Sequence, residues 1–467
     1  MPSRDEAMAR ATEYFDSGAF EADLARRVAI PSESQIVEGL PHCARYLDEE
    51  MAPAFEAMEF ECRVYPNPIE RAGPILLATR IEDESLPTVL GYGHGDTVRG
   101  MEARWTRGDG PWKTAREGDR LYGRGTADNK GQHTINMAAL GAVLETRGRL
   151  GFNAKFMIET GEENGSAGVH DVVRANRDAF AADAFIASDG PRVRRDRPTV
   201  SLGARGAINF DLLCHLHEGG HHSGNWGGAL PDPGTVLTHA IGAIVGPKGR
   251  IKVKEWLPGP IPNSVRMALA DVELDGGTDG PAVDPEWGEP GLTPAENVYA
   301  WNSFAVLTMV MGDPAAPANA IQPLARAHCQ LRYIAGTDVE NVVPALRRHL
   351  DEHGFEDVEV LPPPPENAAG FAASRTDLDD PWAARVLRSI ERTTGRKPAI
   401  IPQMGGSICN DVFTDILGLP SIWIPHSYTS CLQHAPDEHI LLPLCREALG
   451  VMAGVYWDIG DEVEGAR

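Results

Sequence analysis

Two parts of this 467-residue chain alternate strand-like and helix-like segments, and a long stretch of different character separates them. In the first 200 residues, apolar runs such as Pro87–Tyr92 and Asn153–Ile158 alternate with a helical pattern over Gln132–Glu145. The alternation returns near the carboxyl end, where helices are predicted over Pro381–Thr394 and from Leu442 onward. Further elements are predicted at Ser166–Phe180 (helix) and at Asp183–Ala187, Ala399–Pro402 and Ser421–Pro425 (strands). This pattern predicts an α/β sheet with helices on its faces.

The middle of the chain has the two-residue period of a half-buried strand. Residues 207–216 alternate in this way, and so do residues 325–332, where small or apolar side chains alternate with Arg326, His328, Gln330 and Arg332. Helical patterns at 235–245 and 339–353 accompany these strands. A smaller α+β domain with one solvated sheet face is therefore predicted, inserted into the first domain.

Composition marks the boundaries of the predicted insertion. Residues 272–296 are rich in Gly, Pro and acidic residues, which is typical of a loop, and Pro362–Pro365 is predicted to be a linker. We therefore predict a catalytic domain formed by residues 1–202 and 372–467. Residues 203–371 are predicted to form the inserted domain.

The net charge limits the kinds of partner that the chain can bind. Its 67 acidic and 43 basic residues give a net charge of −24, which argues against nucleic acid or an anionic membrane as the main partner. The charged start of the chain and the lack of a long apolar run predict neither a secretory signal nor a membrane span. The seven cysteines are scattered and never spaced as CxxC, so reduced thiols and a cytoplasmic enzyme are expected.

Histidines and carboxylates cluster just after the predicted strands. Open α/β sheets bind ligands at the carboxyl ends of their strands, and a mixture of imidazole and carboxylate is a typical set of metal ligands. The residues in such positions are His94, Asp96, Asp128, Glu159, Glu162, Glu163, Asp189 and His434. A single carboxylate in such a loop is usually a helix cap or a solvated charge, but several at equivalent positions predict a metal site.

Several motifs resemble those of one enzyme family, in the same order and with similar spacing. They are Gly93–Thr97, Gly123–Gly131, Glu159–Ser166, Ser188–Gly190, Gly203–Gly206, His222–Gly224, Gly405–Ile408 and finally His434. Together they resemble the co-catalytic metallopeptidases, which include aminoacylases, carnosinase-like dipeptidases, glutamate carboxypeptidase and succinyl-diaminopimelate desuccinylase. The resemblance covers roughly residues 25–440. It implies a mixed-sheet, zinc-peptidase-like catalytic domain and an inserted ferredoxin-like lid that also dimerises.

The resemblance also implies a site with two metal ions. His94 and Asp189 would hold one ion, Glu163 and His434 the other, and Asp128 would bridge them. Zinc is expected, although manganese and cobalt accept the same ligands. Two ions of this kind activate water and polarise the scissile carbonyl.

The remaining roles implied by the resemblance concern catalysis and substrate binding. Asp96 would fix the tautomer of His94, and Glu162 would be the general base and acid. His222 would reach the site of the partner subunit and stabilise the oxyanion. The implied substrate contacts are Asn319, Arg332, which would bind a carboxylate, and the backbone of Gly406 and Ser407.

Other functions remain open or are set aside on sequence grounds. His217–His221 spells HExxH, but two internal glycines and the preceding strand pattern predict a turn rather than a zinc-binding helix.

The predicted reaction is hydrolysis of a dipeptide or of an N-acyl amino acid with a free carboxylate. An N-deacylase or N-carbamoyl-amino-acid hydrolase is the alternative. A catalytically silent ligand-binding relative is the second alternative.

Overall fold

The computed structural model describes residues 2–274, 280–362 and 371–465. Its helices are α1 (Arg4–Asp16), α2 (Ala19–Val28), α3 (Leu40–Tyr46), α4 (Ala52–Glu56), α5 (Lys130–Arg147), α6 (Val169–Ala175), α7 (Arg177–Phe180), α8 (Ser223–Trp226), α9 (Pro233–Ile244), α10 (Asn263–Leu269), α11 (Pro294–Tyr299), α12 (Val342–Glu352), α13 (Pro381–Thr394) and α14 (Leu442–Gly465). Within the described residues, no helix combines the length and apolar character needed to cross a bilayer.

The strands fall into two main sheets and several short ladders. They are β1 (Glu61–Tyr65), β2 (Ile75–Arg80), β3 (Thr88–His94), β4 (Ala115–Glu117), β5 (Arg120–Tyr122), β6 (Asn153–Glu159), β7 (Ala184–Ala187), β8 (Pro191–Arg192), β9 (Thr199–Ser201), β10 (Gly203–Ala204), β11 (Gly206–His215), β12 (His221–His222), β13 (Ser303–Val310), β14 (Ala320–Ile321), β15 (Leu324–Tyr333), β16 (Val358–Leu361), β17 (Ser374–Arg375), β18 (Ala399–Ile401), β19 (Ser421–Trp423), β20 (Ser427–Tyr428) and β21 (His439–Leu441).

The larger sheet has eight strands in the order β1-β2-β6-β3-β7-β19-β9-β18. Strands β6, β3, β7 and β19 pair in parallel at its centre. Their residues are almost all buried, because helices cover both faces of the sheet. The carboxyl ends of β3, β6 and β7 therefore open at the same edge. The prediction of a mixed α/β sheet is confirmed.

Helices form a layer on each face of this sheet. On one face, α1, α5, α13 and α14 pack together around a large apolar core. On the other, a second core includes Val172 of α6 and Phe185 of β7. The prediction of one helix over Ser166–Phe180 is wrong at its start, and the structure has two short helices in this region instead of one. Gly165, Ser166 and Gly168 have positive φ, so a turn precedes α6, and Asn176 separates α6 from α7.

The smaller sheet has the order β13-β15-β11-β16, and each pair of neighbours is antiparallel. Helices α9 and α12 cover one face, which gives the βαββαβ chain order of a ferredoxin-like domain. Along β15 the buried residues alternate with more exposed ones, as the two-residue period predicted. The predicted ferredoxin-like architecture is thus confirmed, and we call this domain the lid.

A segment between the lid strands packs on the catalytic domain. This edge segment comprises residues 261–274 and 280–300; residues 275–279 lie outside the described part of the chain. Val265 and Tyr299 share an apolar cluster with Ala399 and Ile401 of β18, the outermost strand of the large sheet. The edge segment therefore belongs in space to the catalytic domain, although it lies inside the predicted insertion.

The domain boundaries themselves stay predictions. The large sheet draws its strands from residues 61–201 and 399–423, and the lid sheet from residues 206–361, which supports a division near 202. The other predicted boundary, at residue 371, adjoins residues 363–370, which lie outside the described part of the chain. Positions 363–365 of the predicted linker are among those residues. All seven cysteines are free thiols.

Candidate active site

Five of the predicted site residues lie at the edge of the large sheet where its parallel strands end. His94 is the last residue of β3, and Asp189 follows β7 by two residues. Glu162 and Glu163 occupy a single 3-10 turn after β6. Asp128 comes from the loop between β5 and α5. These elements bring together side chains that are far apart in the sequence.

Asp128 lies between two histidines, with one carboxylate oxygen toward each. Its Oδ1 lies 3.0 Å from His94 Nε2, and its Oδ2 lies 3.2 Å from His434 Nε2. His434 Nε2 is also 3.0 Å from Glu163 Oε2, and His94 Nε2 is 3.6 Å from Asp189 Oδ2. The five side chains therefore form two groups that share Asp128; that these groups bind two ions stays a prediction.

Asp96 supports both groups without belonging to either. His94 Nδ1 lies 3.2 Å from the Asp96 backbone carbonyl and 3.4 Å from Asp96 Oδ1, so Asp96 can fix the tautomer in which Nε2 is free to bind a metal. The two carboxylate oxygens of Asp96 also accept hydrogen bonds from the backbone N–H groups of Glu162 (3.2 Å) and Glu163 (3.1 Å). One buried carboxylate thus orients His94 and holds the turn that carries both glutamates.

The electrostatics of the cluster indicate an excess of negative charge. Burial and neighbouring carboxylates raise the pKa of Glu163 to about 7 and that of Asp189 to about 6. Hydrogen bonds to Asp128 and Glu163 raise the pKa of His434 to about 11. In the absence of cations, protons would be needed to balance these carboxylates.

The donor set fits divalent metal ions. Imidazole nitrogen and carboxylate oxygen suit zinc, manganese or cobalt, and ligand atoms of His94, Asp128 and Glu163 all lie within 4.8 Å of one another. Cations bound there would supply the positive charge that the buried carboxylates lack.

Glu162 lies beside the cluster but makes few contacts with it. Its Oε2 is 3.9 Å from His94 Nε2, beyond hydrogen-bonding distance. Burial, which outweighs the attraction of His94, raises its pKa well above the usual value. A carboxyl group that faces the site and whose protonated form is favoured by burial can take part in proton transfer.

A cleft of about 370 Å³ opens in front of these residues. Gly406 and Ser407, two of the predicted substrate contacts, line it together with Asp128, Glu162 and Asp189. Arg332, on the polar face of β15, donates a hydrogen bond from Nη1 to Ser407 Oγ (3.0 Å). The lid thus brings Arg332 into contact with Ser407, a residue of the cleft wall, and its role in substrate binding stays a prediction.

His222 and Asn319 are not brought to this cleft. Both are exposed and lie at the short β12–β14 ladder of the lid, where the Asn319 carbonyl accepts a hydrogen bond from the Ser223 N–H. His222 Nδ1 accepts a hydrogen bond from the Gly224 N–H (3.1 Å). This bond favours the tautomer with the proton on Nε2, so that nitrogen can act as a donor. The HExxH segment before His222 is a turn followed by β12, so the predicted turn is confirmed.

Sequence reasoning missed two residues that position the loop of Asp128. The buried Glu438 accepts hydrogen bonds from the N–H groups of Ala127 and Asp128 (both 3.0 Å) and from Arg124 (2.8 Å). Gln433 donates to Asp128 Oδ2 at 3.3 Å. Both lie within four residues of His434, but nothing in their local sequence indicates these distant contacts.

Comparison with known proteins identifies the family. Residues 90–458 match the model of Peptidase family M20/M25/M40. The chain belongs to this family. The predicted recognition of a metallopeptidase family is therefore confirmed, and so is the prediction of a hydrolytic enzyme at the level of the family.

Individual relatives are similar over part or all of the chain. Cysteinylglycine-S-conjugate dipeptidase from Corynebacterium striatum is 29% identical over 276 residues, which cover 56% of this chain and 57% of the relative. Beta-Ala-His dipeptidase from Rattus norvegicus is 30% identical over 210 residues, which cover 43% and 42%. The chain thus spans about half the length of these curated relatives. The M20 family metallo-carboxypeptidase Sso-CP2 from Sulfolobus solfataricus has the same fold, with a TM-score of 0.80, 21% identity and coverage of 95% and 99%.

Proposed function

We propose that this protein is a dinuclear metal-dependent hydrolase that cleaves the amide bond of a dipeptide or an N-acyl amino acid with a free carboxylate. The observation that carries the proposal is the position of Asp128, whose two oxygens face His94 and His434 at 3.0 and 3.2 Å. A carboxylate placed in this way is suited to bridge two cations. The names of the relatives, both of them dipeptidases, point to the same bond type.

In the proposed site, His94 and Asp189 hold one ion, Glu163 and His434 hold the other, and Asp128 binds both. Two divalent ions, when bound, lower the pKa of water and polarise a carbonyl. Zinc is the proposed ion.

Glu162 is the proposed proton carrier. It faces the cleft and its burial favours proton uptake, so it can take a proton from the attacking water and pass it to the leaving amine. Asp96 keeps Glu162 in place through the Glu162 N–H and also orients His94.

Substrate binding is proposed to involve the lid. Arg332 is half-buried and lies next to Ser407, so its guanidinium can bind the substrate carboxylate at that end of the cleft. The backbone of Gly406 and Ser407 lines the same end. Arg205 holds this loop, because its Nη2 donates to the Gly405 carbonyl at 2.9 Å.

A homodimer through the lid is part of the proposal. Strand β13 is an edge strand of the lid sheet, and its exposed side chains include Leu307, Met309 and Val310. An apolar edge strand of this kind is suited to pair with a second copy. In such a dimer, His222 and Asn319 would complete the partner's site, with His222 Nε2 donating to the oxyanion. A cytoplasmic location stays a prediction of the sequence.

The proposed function is tested by separating metal content from turnover. The purified chain, reconstituted with zinc, is expected to hold two ions and to hydrolyse members of a panel of dipeptides and N-acyl amino acids. Glu162→Gln is expected to lower kcat by about 10²–10⁴-fold and to retain both ions, because Glu162 is not a proposed ligand. Glu163→Gln, at the neighbouring position, is expected to lose metal. Loss of metal in Glu162→Gln, or no hydrolysis by the fully loaded wild-type chain, would contradict the proposal.

A further inference from the structure

Glu159 is a buried carboxylate beside the candidate site that the proposed mechanism does not use. It is the last residue of β6 and has no exposed surface. Its side chain is hydrogen-bonded to hydroxyl and thiol groups rather than to the proposed metal ligands. Burial of a carboxylate is costly unless hydrogen bonds compensate for the lost water, so these partners indicate what Glu159 does.

One oxygen of Glu159 accepts hydrogen bonds from three separate segments of the catalytic domain. Oε1 accepts from the Tyr92 hydroxyl of β3 (2.8 Å) and from the Ser166 hydroxyl (2.9 Å). It also accepts from the Cys409 thiol at 3.3 Å. Oε2 is buried and has no hydrogen-bond partner among the described residues. A single acceptor atom thus connects the three segments.

Tyr92 is the rigid member of this group. Its ring is fully buried and packs edge-on against Phe413 and Trp423, with ring centroids 5.6 Å apart in both pairs. Close packing of this kind holds a side chain in one conformation. The Tyr92 hydroxyl therefore fixes the Glu159 carboxyl group relative to β3, the strand that ends at His94.

The contact with Ser166 fixes the turn that carries Glu162. The Ser166 N–H donates to the Gly161 carbonyl at 2.9 Å and so closes this turn. Ser166 has a φ of +50°, in the left-handed region that residues other than glycine rarely adopt, and its side-chain bond to Glu159 stabilises that conformation. Asp96 holds the same turn from its other end through the Glu162 N–H. Two buried carboxylates therefore hold the turn of the proposed proton carrier.

The contact with Cys409 fixes the loop on the other side of the cleft. Cys409 has no exposed surface and directly follows residues 406–408, which line the cleft. It belongs to the same apolar cluster as Tyr92. Glu159 thus connects the turn of the proton carrier to the loop at the proposed carboxylate-binding end of the cleft.

We propose that Glu159 is a positioning residue that keeps Glu162 in register with the Gly406–Ser407 loop. The inference rests on the proposed hydrolase function and adds a residue to its machinery. The substrate would be held at its carboxylate end by this loop, so a shift of the turn relative to the loop moves Glu162 away from the attacking water. A misplacement of about 1 Å can lower turnover by about 100-fold.

Two single substitutions separate the two contacts. Ser166→Ala removes the contact with the turn and is expected to lower kcat by about 10- to 100-fold, with KM and zinc content little changed. Cys409→Ala removes the contact with the loop and is expected to raise KM more than it lowers kcat. Thr160→Val is the matched control, because the Thr160 hydroxyl lies at the same strand end but donates to the Pro74 carbonyl (2.8 Å). It is expected to keep near-normal kcat and KM.

Substitutions at Glu159 itself test whether the acceptor oxygen is the essential feature. Burial raises the pKa of Glu159 to about 7, and the charge of Asp96 adds to this shift, so an uncharged isostere suits the site. Glu159→Gln keeps an acceptor oxygen and is expected to retain most of the wild-type kcat. Glu159→Leu removes it and is expected to combine the effects of Ser166→Ala and Cys409→Ala. If Glu159→Leu fails to fold, the two single-contact variants still decide the proposal.

Hydrogen exchange reports on the turn without turnover. In the zinc-loaded protein, amide exchange in a peptide that covers residues 161–166 is expected to be faster in Ser166→Ala and Glu159→Leu than in the wild type, because the turn opens more often. The exchange in Thr160→Val and Glu159→Gln is expected to stay at the wild-type rate.

The possible outcomes separate this inference from the proposed function. Near-normal kcat and exchange in Ser166→Ala, with an active wild type, would overturn the positioning role and leave the hydrolase function intact. An equal loss of kcat in Thr160→Val and Ser166→Ala would also overturn it, since the effect would then be one of general packing. No hydrolysis of any panel member by the zinc-loaded wild type would overturn the hydrolase function and this inference with it.

Discussion

The proposed metal ligands His94 and Asp128 are buried in the catalytic domain, whereas His222 and Asn319 of the lid are exposed beside a short ladder. His94 has no exposed surface and lies against Asp96, two residues further along the chain. Asp128 is 9% exposed and accepts a hydrogen bond from Gln433, which comes from another loop. His222 has the Gly224 N–H as its hydrogen-bond partner, and the cleft lining does not include it. One chain thus brings together all five proposed metal ligands. The oxyanion donor predicted from the sequence would have to come from a second chain.

Removal of the His222 imidazole is expected to have the largest effect on turnover. His222→Ala is expected to lower kcat by about 10²–10³-fold, as the loss of an oxyanion donor does, with metal content unchanged. His221→Ala, one residue away, is the matched control and is expected to keep near-normal kcat.

Mixing two inactive variants shows which chain supplies the histidine. After subunit exchange, a heterodimer of His222→Ala and Glu162→Gln has one site with both groups intact, so activity is expected to return. An inactive mixture, with heterodimers demonstrated by mass, would place His222 in the site of its own chain or outside catalysis.

A smaller effect is expected at Arg332, where the lid meets the catalytic domain within one chain. Arg332→Ala is expected to raise KM for substrates with a free carboxylate by the loss of about 1.5–3 kcal/mol of charged hydrogen bonding. Substrates with an amidated carboxyl end should be affected little. Arg326→Ala removes an arginine from the same strand face that is paired with Asp211, and it serves as the control. Equal effects of Arg332→Ala on both substrate types would refute the role.

The smallest expected effect concerns the stability of the lid. Burial would raise the pKa of Asp211, but hydrogen bonds from Arg326 and His328 outweigh it and hold the pKa below its usual value. Asp211 therefore stabilises the folded lid above its unfolded pKa, and this contribution is lost as the pH falls through its folded pKa.

Thermal unfolding as a function of pH measures this contribution. Asp211→Asn is expected to cost about 1 kcal/mol at pH 7, and the difference from the wild type should shrink as the pH falls toward 3. Asn209→Ala, on the same sheet face, removes a group that does not titrate, so its effect should not depend on pH. A pH-independent effect of Asp211→Asn would count against the charged interaction.

Much of the fold follows from local patterns. The strands at residues 88–94 and 153–159 and the helices at 130–147 and 381–394 match their predicted positions closely, because burial against a sheet imposes a strong periodicity. The helix before Phe180 was predicted too long, since the positive φ of Ser166 is not expected of serine. Within the edge segment, residues 272–296 were predicted only as a loop, because contacts with β18 depend on the tertiary arrangement.

The amino-acid sequence alone identified the imidazole and carboxylate groups of the candidate site. Histidine and carboxylate after successive strands, in the order of a known family, predicted the cluster of His94, Asp128, Glu163, Asp189 and His434. This was possible because parallel strands necessarily end at one edge of a sheet. The three-dimensional structure was needed to show which oxygen of Asp128 faces which histidine, how Glu438 fixes the loop of Asp128, and which side chains of the edge segment line the cleft. Those contacts join residues hundreds of positions apart, and local sequence carries no signal for them.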